Sequence, residues 1–189
     1  QNTAYTIGRT FAYTVINRLK SNIIATGFDG RLTSPDLHKA LCEGLKDSGA
    51  KVINIGMGPT PMTYFAHFHL KADAVIMVTG SHNPSEYNGF KMVLNKHSFY
   101  AEDIQSLQKL IDQNDLKLIE GEIINEDIKI EYTKRLLQNI NLNKKIKIAW
   151  DIGNGAMGAV IKEVTNNLNN SENILILSLI HISEPTRRN

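Results

Sequence analysis

The chain has 189 residues, 42% of them hydrophobic, and carries 21 Lys and Arg against 19 Asp and Glu for a net charge of +2. That length and apolar content suit one full α/β domain and part of another, and so small and scattered a charge excludes nucleic acid as a partner. A single cysteine, Cys42, rules out an internal disulfide framework, and with no apolar run of membrane-spanning length and no signal-peptide pattern the protein is expected in the cytoplasm, away from the membrane.

Taken in chain order, Ala4 to Leu19 places Ile7, Phe11, Val15 and Leu19 at helical spacing, and Ile23-Ile24-Ala25 then reads as a strand leading into a Gly27 loop. Pro35 suits the first turn of a helix, where its missing N–H costs nothing, and Leu37, Leu41 and Leu45 carry the apolar face until Gly49 stops it. Val52-Ile53-Asn54-Ile55 is the next strand. Pro59-Thr60-Pro61 opens a helix to about Leu70, and Ala74-Val75-Ile76-Met77-Val78 is a buried strand. This βαβαβ order predicts an α/β fold: a mainly parallel mixed sheet with helices on both faces.

Past Val78 comes a loop, Thr79-Gly80-Ser81-His82-Asn83-Pro84-Ser85-Glu86-Tyr87-Asn88-Gly89, dense in turn formers. Asn88-Gly89 accepts positive φ and is expected to fold Phe90 to Leu94 back as an antiparallel edge strand. Ser81 thus stands at the carboxyl end of a strand, the rim where ligands bind in open α/β sheets. Further on, Ala101 to Gln113 sets Ile104, Leu107, Leu110 and Ile111 on one helical face. Glu120 to Asp127 reads as a polar connection, and Tyr132, Leu136, Leu137 and Ile140 mark another helix. The boundary of a first domain, residues 1–140, is placed in Asn139 to Asn143, and a second unit over 144–176 begins with the strand Lys145 to Trp150.

Four segments together resemble the α-D-phosphohexomutase family, closest to its bacterial phosphomannomutase/phosphoglucomutase branch. They are Gly27-Phe28-Asp29-Gly30-Arg31 with Ser34, Gly56-Met57-Gly58-Pro59-Thr60-Pro61, Thr79 to Pro84 with Tyr87 to Lys91, and Asp151-Ile152-Gly153-Asn154-Gly155-Ala156. The resemblance implies that Ser81 carries a phosphoryl group between the 1- and 6-positions of a mannose or glucose phosphate, through a bisphosphorylated intermediate. It implies that Ser81, through its phosphate, is a ligand of Mg²⁺, and that glucose 1,6-bisphosphate is the phosphorylating activator. His82 and Lys91 are then the neighbouring acid/base and charge-stabilising groups, and Arg31 a phosphate-binding member of the cationic surround. Read from the residues alone, Ser81 is equally a turn serine, His82 a loop-orienting side chain, Lys91 a solvated strand position, and Arg31 a turn cap or the partner of Asp29.

Two other functions compete. Gly153-Asn154-Gly155-Ala156-Met157-Gly158 satisfies Gly-x-Gly-x-x-Gly, which suggests a dinucleotide- or phosphate-binding domain, but Glu172 lies in a polar stretch before any strand and is no ribose-binding acid. A serine hydrolase lacks its Gly-x-Ser-x-Gly elbow. Within the superfamily, phosphoglucosamine mutase is the alternative. The family's amino-terminal arginine segment, its Asp-Gly-Asp metal loop and its later sugar- and phosphate-binding loops have no counterpart here, so this chain is expected to need the missing domains for activity. Leu177 to Asn189 resembles a translated sequencing adapter and is expected to be non-native.

Overall fold

A computed structural model describes residues 2–113, 116–153 and 155–176; the tail from Leu177 to Asn189 and the residue Asn154 lie outside the described residues. The first half alternates helix and strand: α1 Asn2–Leu19, β1 Ile23–Phe28, α2 Ser34–Lys46, β2 Lys51–Met57, α3 Thr60–His69 and β3 Ala74–Val78. Then come β4 Phe90–Leu94, β5 His97–Phe99, α4 Glu102–Gln113, β6 Glu122–Asn125, α5 Lys129–Leu137, β7 Ile146–Asp151, α6 Gly158–Asn167 and β8 Ser171–Ile176. A six-stranded sheet runs β5-β4-β3-β1-β2-β6, and β7 pairs with β8 in a separate two-stranded sheet. In the larger sheet β3, β1, β2 and β6 are parallel, whereas β4 pairs antiparallel with β3 on one side and with β5 on the other.

Continuous apolar strands are explained by a sheet covered twice. Successive residues face opposite layers: Ile24, Ala74, Ile76 and Val78 pack with Phe11, Leu41 and Leu45 of α1 and α2, while Ala25 and Val75 pack with Met62 and Ala66 of α3. Phe11, Leu41 and Leu45 are fully buried, each contributing about 1.5–3 kcal/mol. The backbones of α1 and α2 nearly touch: a Cβ on Gly44 would sit 2.1 Å from the Tyr5 carbonyl oxygen, and one on Gly8 2.4 Å from that of Leu41. Val160, Ile161 and Val164 of α6 join Tyr132 and Ile128 in the second core. Among the described residues no helix is long and apolar enough to cross a membrane.

Several expectations change. Strand β1 does not stop at Ala25, because Gly27 and Phe28 pair in register with Met77 and Val78. The return strand β4 is not the edge; β5 pairs outside it, a strand too short and polar to show periodicity. The segment read as a polar connection contains β6, which pairs with β2 through main-chain bonds and a Lys51–Glu122 ion pair at 3.1 Å. Glu172 does not precede a strand: it lies in β8 opposite Lys147, 3.3 Å from its amine. Helix α5 ends at Leu137, so Leu136 and Ile140 are exposed and the inward positions are Ile128, Tyr132 and Leu137.

Candidate active site

Three loops leave the carboxyl ends of the parallel strands β1, β2 and β3, and all three are stitched together. Asp29 N–H donates to the Val78 carbonyl at 3.0 Å and Gly58 N–H to that of Phe28 at 3.0 Å, so the loops share one rim. That rim is where open α/β sheets place ligands. The loop after β3 is closed at its base by Thr79 N–H on the Gly89 carbonyl at 2.9 Å.

Ser81 lies on this loop with its side chain exposed to solvent. Its backbone is held in the left-handed region, φ 53°, a conformation that costs a non-glycine residue on the order of 1 kcal/mol and persists only where neighbours enforce it. Both sides of the residue are tied. Its N–H donates to Thr79 Oγ1 at 2.9 Å, and its carbonyl accepts from Arg31 Nη2 at 3.2 Å. The hydroxyl is left facing outward, 3.2 Å from His82 Nδ1. A nucleophile and a candidate base are therefore within hydrogen-bond reach on one exposed loop.

Arg31 lies beneath the Ser81 loop. Its guanidinium is largely buried, 15% exposed, and pairs through Nε with Asp29 Oδ2 at 3.3 Å. Nη1 donates to the carbonyls of Pro84 at 2.6 Å and Tyr87 at 3.1 Å, and Nη2 donates to those of Ser81 and of Asn83 at 2.7 Å. Of the two readings the residues left open, the pairing with Asp29 is the one observed. Asp29 in turn accepts from Arg31 N–H at 3.1 Å, Ser34 Oγ at 2.5 Å and Gly80 N–H at 3.3 Å. This carboxylate is the hub that sequence reasoning missed, although it lies in the quoted motif.

Asn88 also departs from the turn reading. In this loop the positive φ belongs to Ser81, not to Asn88 or Gly89. Asn88 instead donates to Ser34 Oγ at 2.8 Å and Thr33 Oγ1 at 3.1 Å, pinning the loop to the start of α2, while its Oδ1 accepts from Gly89 N–H. Lys91 stands on β4 opposite Met77, exposed and without an ion pair among the described residues. Beneath the rim, His38 of α2 is buried against Phe28 with Nε2 3.0 Å from Thr26 Oγ1, and burial pushes its pKa down to about 4. Cys42, one turn on, is pushed up to about 11 by the same burial, so it is an inert packing thiol.

A family model for the phosphoglucomutase/phosphomannomutase α/β/α domain I matches residues 1–118. The chain belongs to the phosphoglucomutase/phosphomannomutase family. It is 39% identical over 166 residues to a phosphomannomutase/phosphoglucomutase of Pseudomonas aeruginosa, covering 88% of this chain and 36% of that protein. A phosphoglucomutase of Neisseria meningitidis is 38% identical over 169 residues with the same coverage of each chain. Among solved structures, a phosphoglucomutase/phosphomannomutase family protein of Burkholderia thailandensis superimposes with a TM-score of 0.84 at 34% identity, over 93% of this chain and 40% of that one. The chain thus spans a little over a third of the length of the curated relatives it matches.

Among the described residues no cluster of three or more His, Cys, Asp or Glu is placed to hold a metal. Magnesium needs near-octahedral oxygen donors, and Asp29, beside the loop, already accepts from Arg31, Ser34 and Gly80. The described residues therefore do not form its site. In the glycine loop after β7, Gly153 N–H donates to Asp151 Oδ1 at 3.1 Å, Gly155 N–H to the Ile152 carbonyl at 2.9 Å and Gly158 N–H to that of Gly155 at 3.0 Å. Glycine amides used internally do not cradle a pyrophosphate.

Proposed function

We propose that the protein containing this segment is a phosphohexomutase that interconverts the 1- and 6-phosphates of mannose or glucose, with Ser81 as the phosphoryl carrier. The observation that carries the reading is the exposed Ser81 hydroxyl at the carboxyl rim of the sheet, its backbone fixed from both sides in a left-handed turn. A carrier must accept and release a phosphoryl group at one position in space, and a preset backbone provides that without an entropy cost at each turnover.

In the proposed cycle the Ser81 phosphoryl passes to the free hydroxyl of a hexose monophosphate. The Ser81 Oγ–P bond breaks, a new O–P bond forms on the sugar, and the proton lost by the sugar hydroxyl passes by way of a nearby base to the freed Ser81 Oγ. The bisphosphate then turns, and its other phosphoryl returns to Ser81, releasing the isomer. His82, at 3.2 Å from Oγ, is the group assigned to hold that proton. Lys91, exposed and without an ion pair among the described residues, is assigned to neutralise charge on the equatorial oxygens. Mg²⁺, with a phosphorylated Ser81 as one ligand, would supply further charge neutralisation; among the described residues no further His, Cys, Asp or Glu are grouped to hold it. We read residues 1–140 as the first domain and 144–176, with β7, α6 and β8, as the start of a second.

The test is turnover by the full-length protein. Glucose 1-phosphate or mannose 1-phosphate, supplied with catalytic glucose 1,6-bisphosphate, should yield the 6-phosphate by ³¹P NMR, and Ser81→Ala should stop it. Conversion undiminished by Ser81→Ala would overturn the assignment.

A further inference from the structure

We propose that Arg31 is a positioning residue: together with Asp29 it holds the Ser81 loop in shape, and it does not bind the phosphate of the substrate or of Ser81. This rests on the reading of Ser81 as the phosphoryl carrier. The case is one of donor accounting. A guanidinium has five N–H groups and no acceptor. In Arg31 the Nε pairs with Asp29, and the terminal nitrogens serve four carbonyls, those of Ser81, Asn83, Pro84 and Tyr87. The four terminal N–H groups are all engaged, and the Nε edge faces a carboxylate, which repels an anion.

The loop needs such a clamp. Between its closing bond at Thr79 and Gly89, its backbone–backbone bonds are the single turns Asn83 N–H to Gly80 O and Tyr87 N–H to Pro84 O, each at 3.0 Å. Every side chain from Ser81 to Tyr87 is exposed, so no apolar packing holds the segment. Arg31 supplies the convergent contacts that a core would otherwise give, and it enforces the left-handed backbone of Ser81 by holding that residue's own carbonyl. Asp29 fixes the clamp: its Oδ2 pairs with Nε while accepting from Gly80 N–H, the residue just before Ser81. Gly80 leaves room for the guanidinium, since a Cβ there would come within 2.3 Å of Cζ. The arginine is thus locked beneath the loop, with its charge already matched to a carboxylate.

A phosphate ligand and a clamp give different signatures. Loss of a ligand raises KM for the phosphosugar, whereas loss of a clamp spares KM and lowers kcat, because a nucleophile displaced by about 1 Å costs on the order of 100-fold. The experiment compares full-length wild type, Arg31→Ala, Arg31→Lys and Asp29→Asn by amide hydrogen exchange over residues 80–88 and by steady-state kinetics with glucose 1-phosphate. Arg31→Ala should speed exchange of the loop about tenfold or more, lower kcat about 100-fold, and change KM less than about threefold. Asp29→Asn should move exchange and kcat in the same direction, although it removes a negative charge and would favour anion binding. Arg31→Lys, which keeps the charge but not the fork of donors, should behave like alanine. If Arg31→Ala instead raises KM about tenfold while loop exchange matches wild type, Arg31 is a phosphate ligand and the clamp is wrong. Should Arg31→Ala not fold, the exchange of Arg31→Lys and Asp29→Asn decides: faster loop exchange supports the clamp, wild-type exchange overturns it. Hydrogen exchange needs no turnover, so it tests the clamp even if the wild type proves to lack mutase activity, an outcome that would sink the reading of Ser81 and not this one.

Discussion

Gly80 lies so close to Arg31 that a Cβ on it would stand 2.3 Å from Cζ, 2.4 Å from Nε and 2.6 Å from the Tyr87 carbonyl oxygen. The glycine next to the candidate nucleophile is there for space. Gly80→Ala must push the guanidinium off the loop, a strain of about 1–3 kcal/mol for an overpacked site. The expected result is a lower unfolding temperature together with faster amide exchange at Ser81 to Tyr87. An alanine variant with wild-type exchange in that loop would show that Arg31 can yield without consequence.

Lys91→Met should lower kcat and leave phosphosugar affinity nearly intact. The amine is exposed and has no ion pair among the described residues, so the substitution leaves no buried charge unmatched. Loss of one charge contact made in the transition state costs about 3–4 kcal/mol, or 10²–10³ in rate. Steady-state kinetics check this, and near-normal turnover would remove Lys91 from the mechanism.

His82→Ala should reduce kcat by roughly 10²–10⁴, the range for losing a positioned acid/base group. Imidazole added to the variant assay should restore part of the rate. Without any rate loss, the 3.2 Å contact with Ser81 Oγ serves only to orient the hydroxyl.

Stability of this domain should fall in mild acid through His38. Burial holds its folded pKa at about 4, below the ordinary value of 6.5, so between those values the unfolded chain binds more protons than the folded one. The contribution is complete above pH 6.5 and is lost as pH falls toward 4, amounting to on the order of 3 kcal/mol. His67, also lowered chiefly by burial, acts with the same sign. Thermal unfolding of wild type and His38→Gln at pH 7.5 and pH 5 checks it: the gap between them should narrow at the lower pH. An equal pH slope in both proteins would count against the assignment.

Gly44→Ala should destabilise without touching the site. Its Cβ would sit 2.1 Å from the Tyr5 carbonyl oxygen, and two helix backbones cannot part without opening the core around Phe11 and Leu41. A loss of about 1–3 kcal/mol in chemical denaturation is expected, with kcat near wild type for the folded fraction.

Much of this fold was legible because its signals are local. The apolar runs of β1 to β3, the Pro35 and Pro61 helix starts and the placement of Ser81 after Val78 follow from period and punctuation, which neighbouring residues encode. Strands β5 and β6 were not legible, since His97-Ser98-Phe99 is too short for a period and Glu122–Asn125 gains its strand character from pairing with β2. The site divides the same way. Ser81, His82 and Lys91 stand in one recognisable stretch, but the role of Arg31 depends on carbonyls about fifty residues further along, and Asp29 reaches Gly80, and Asn88 reaches Thr33 and Ser34, only when the loops after β1 and β3 meet. Asn-Gly suggested the positive φ; tertiary contacts placed it on Ser81 instead.

The account turns on the chemistry of one hydroxyl, and the most direct measurement is where phosphate ends up. The full-length protein, incubated with glucose 1,6-bisphosphate, digested and analysed by mass spectrometry, should carry one phosphoryl group on Ser81, removed again on addition of excess glucose 1-phosphate. Phosphate on another residue, or none on the protein while hexose phosphates still interconvert, would contradict it.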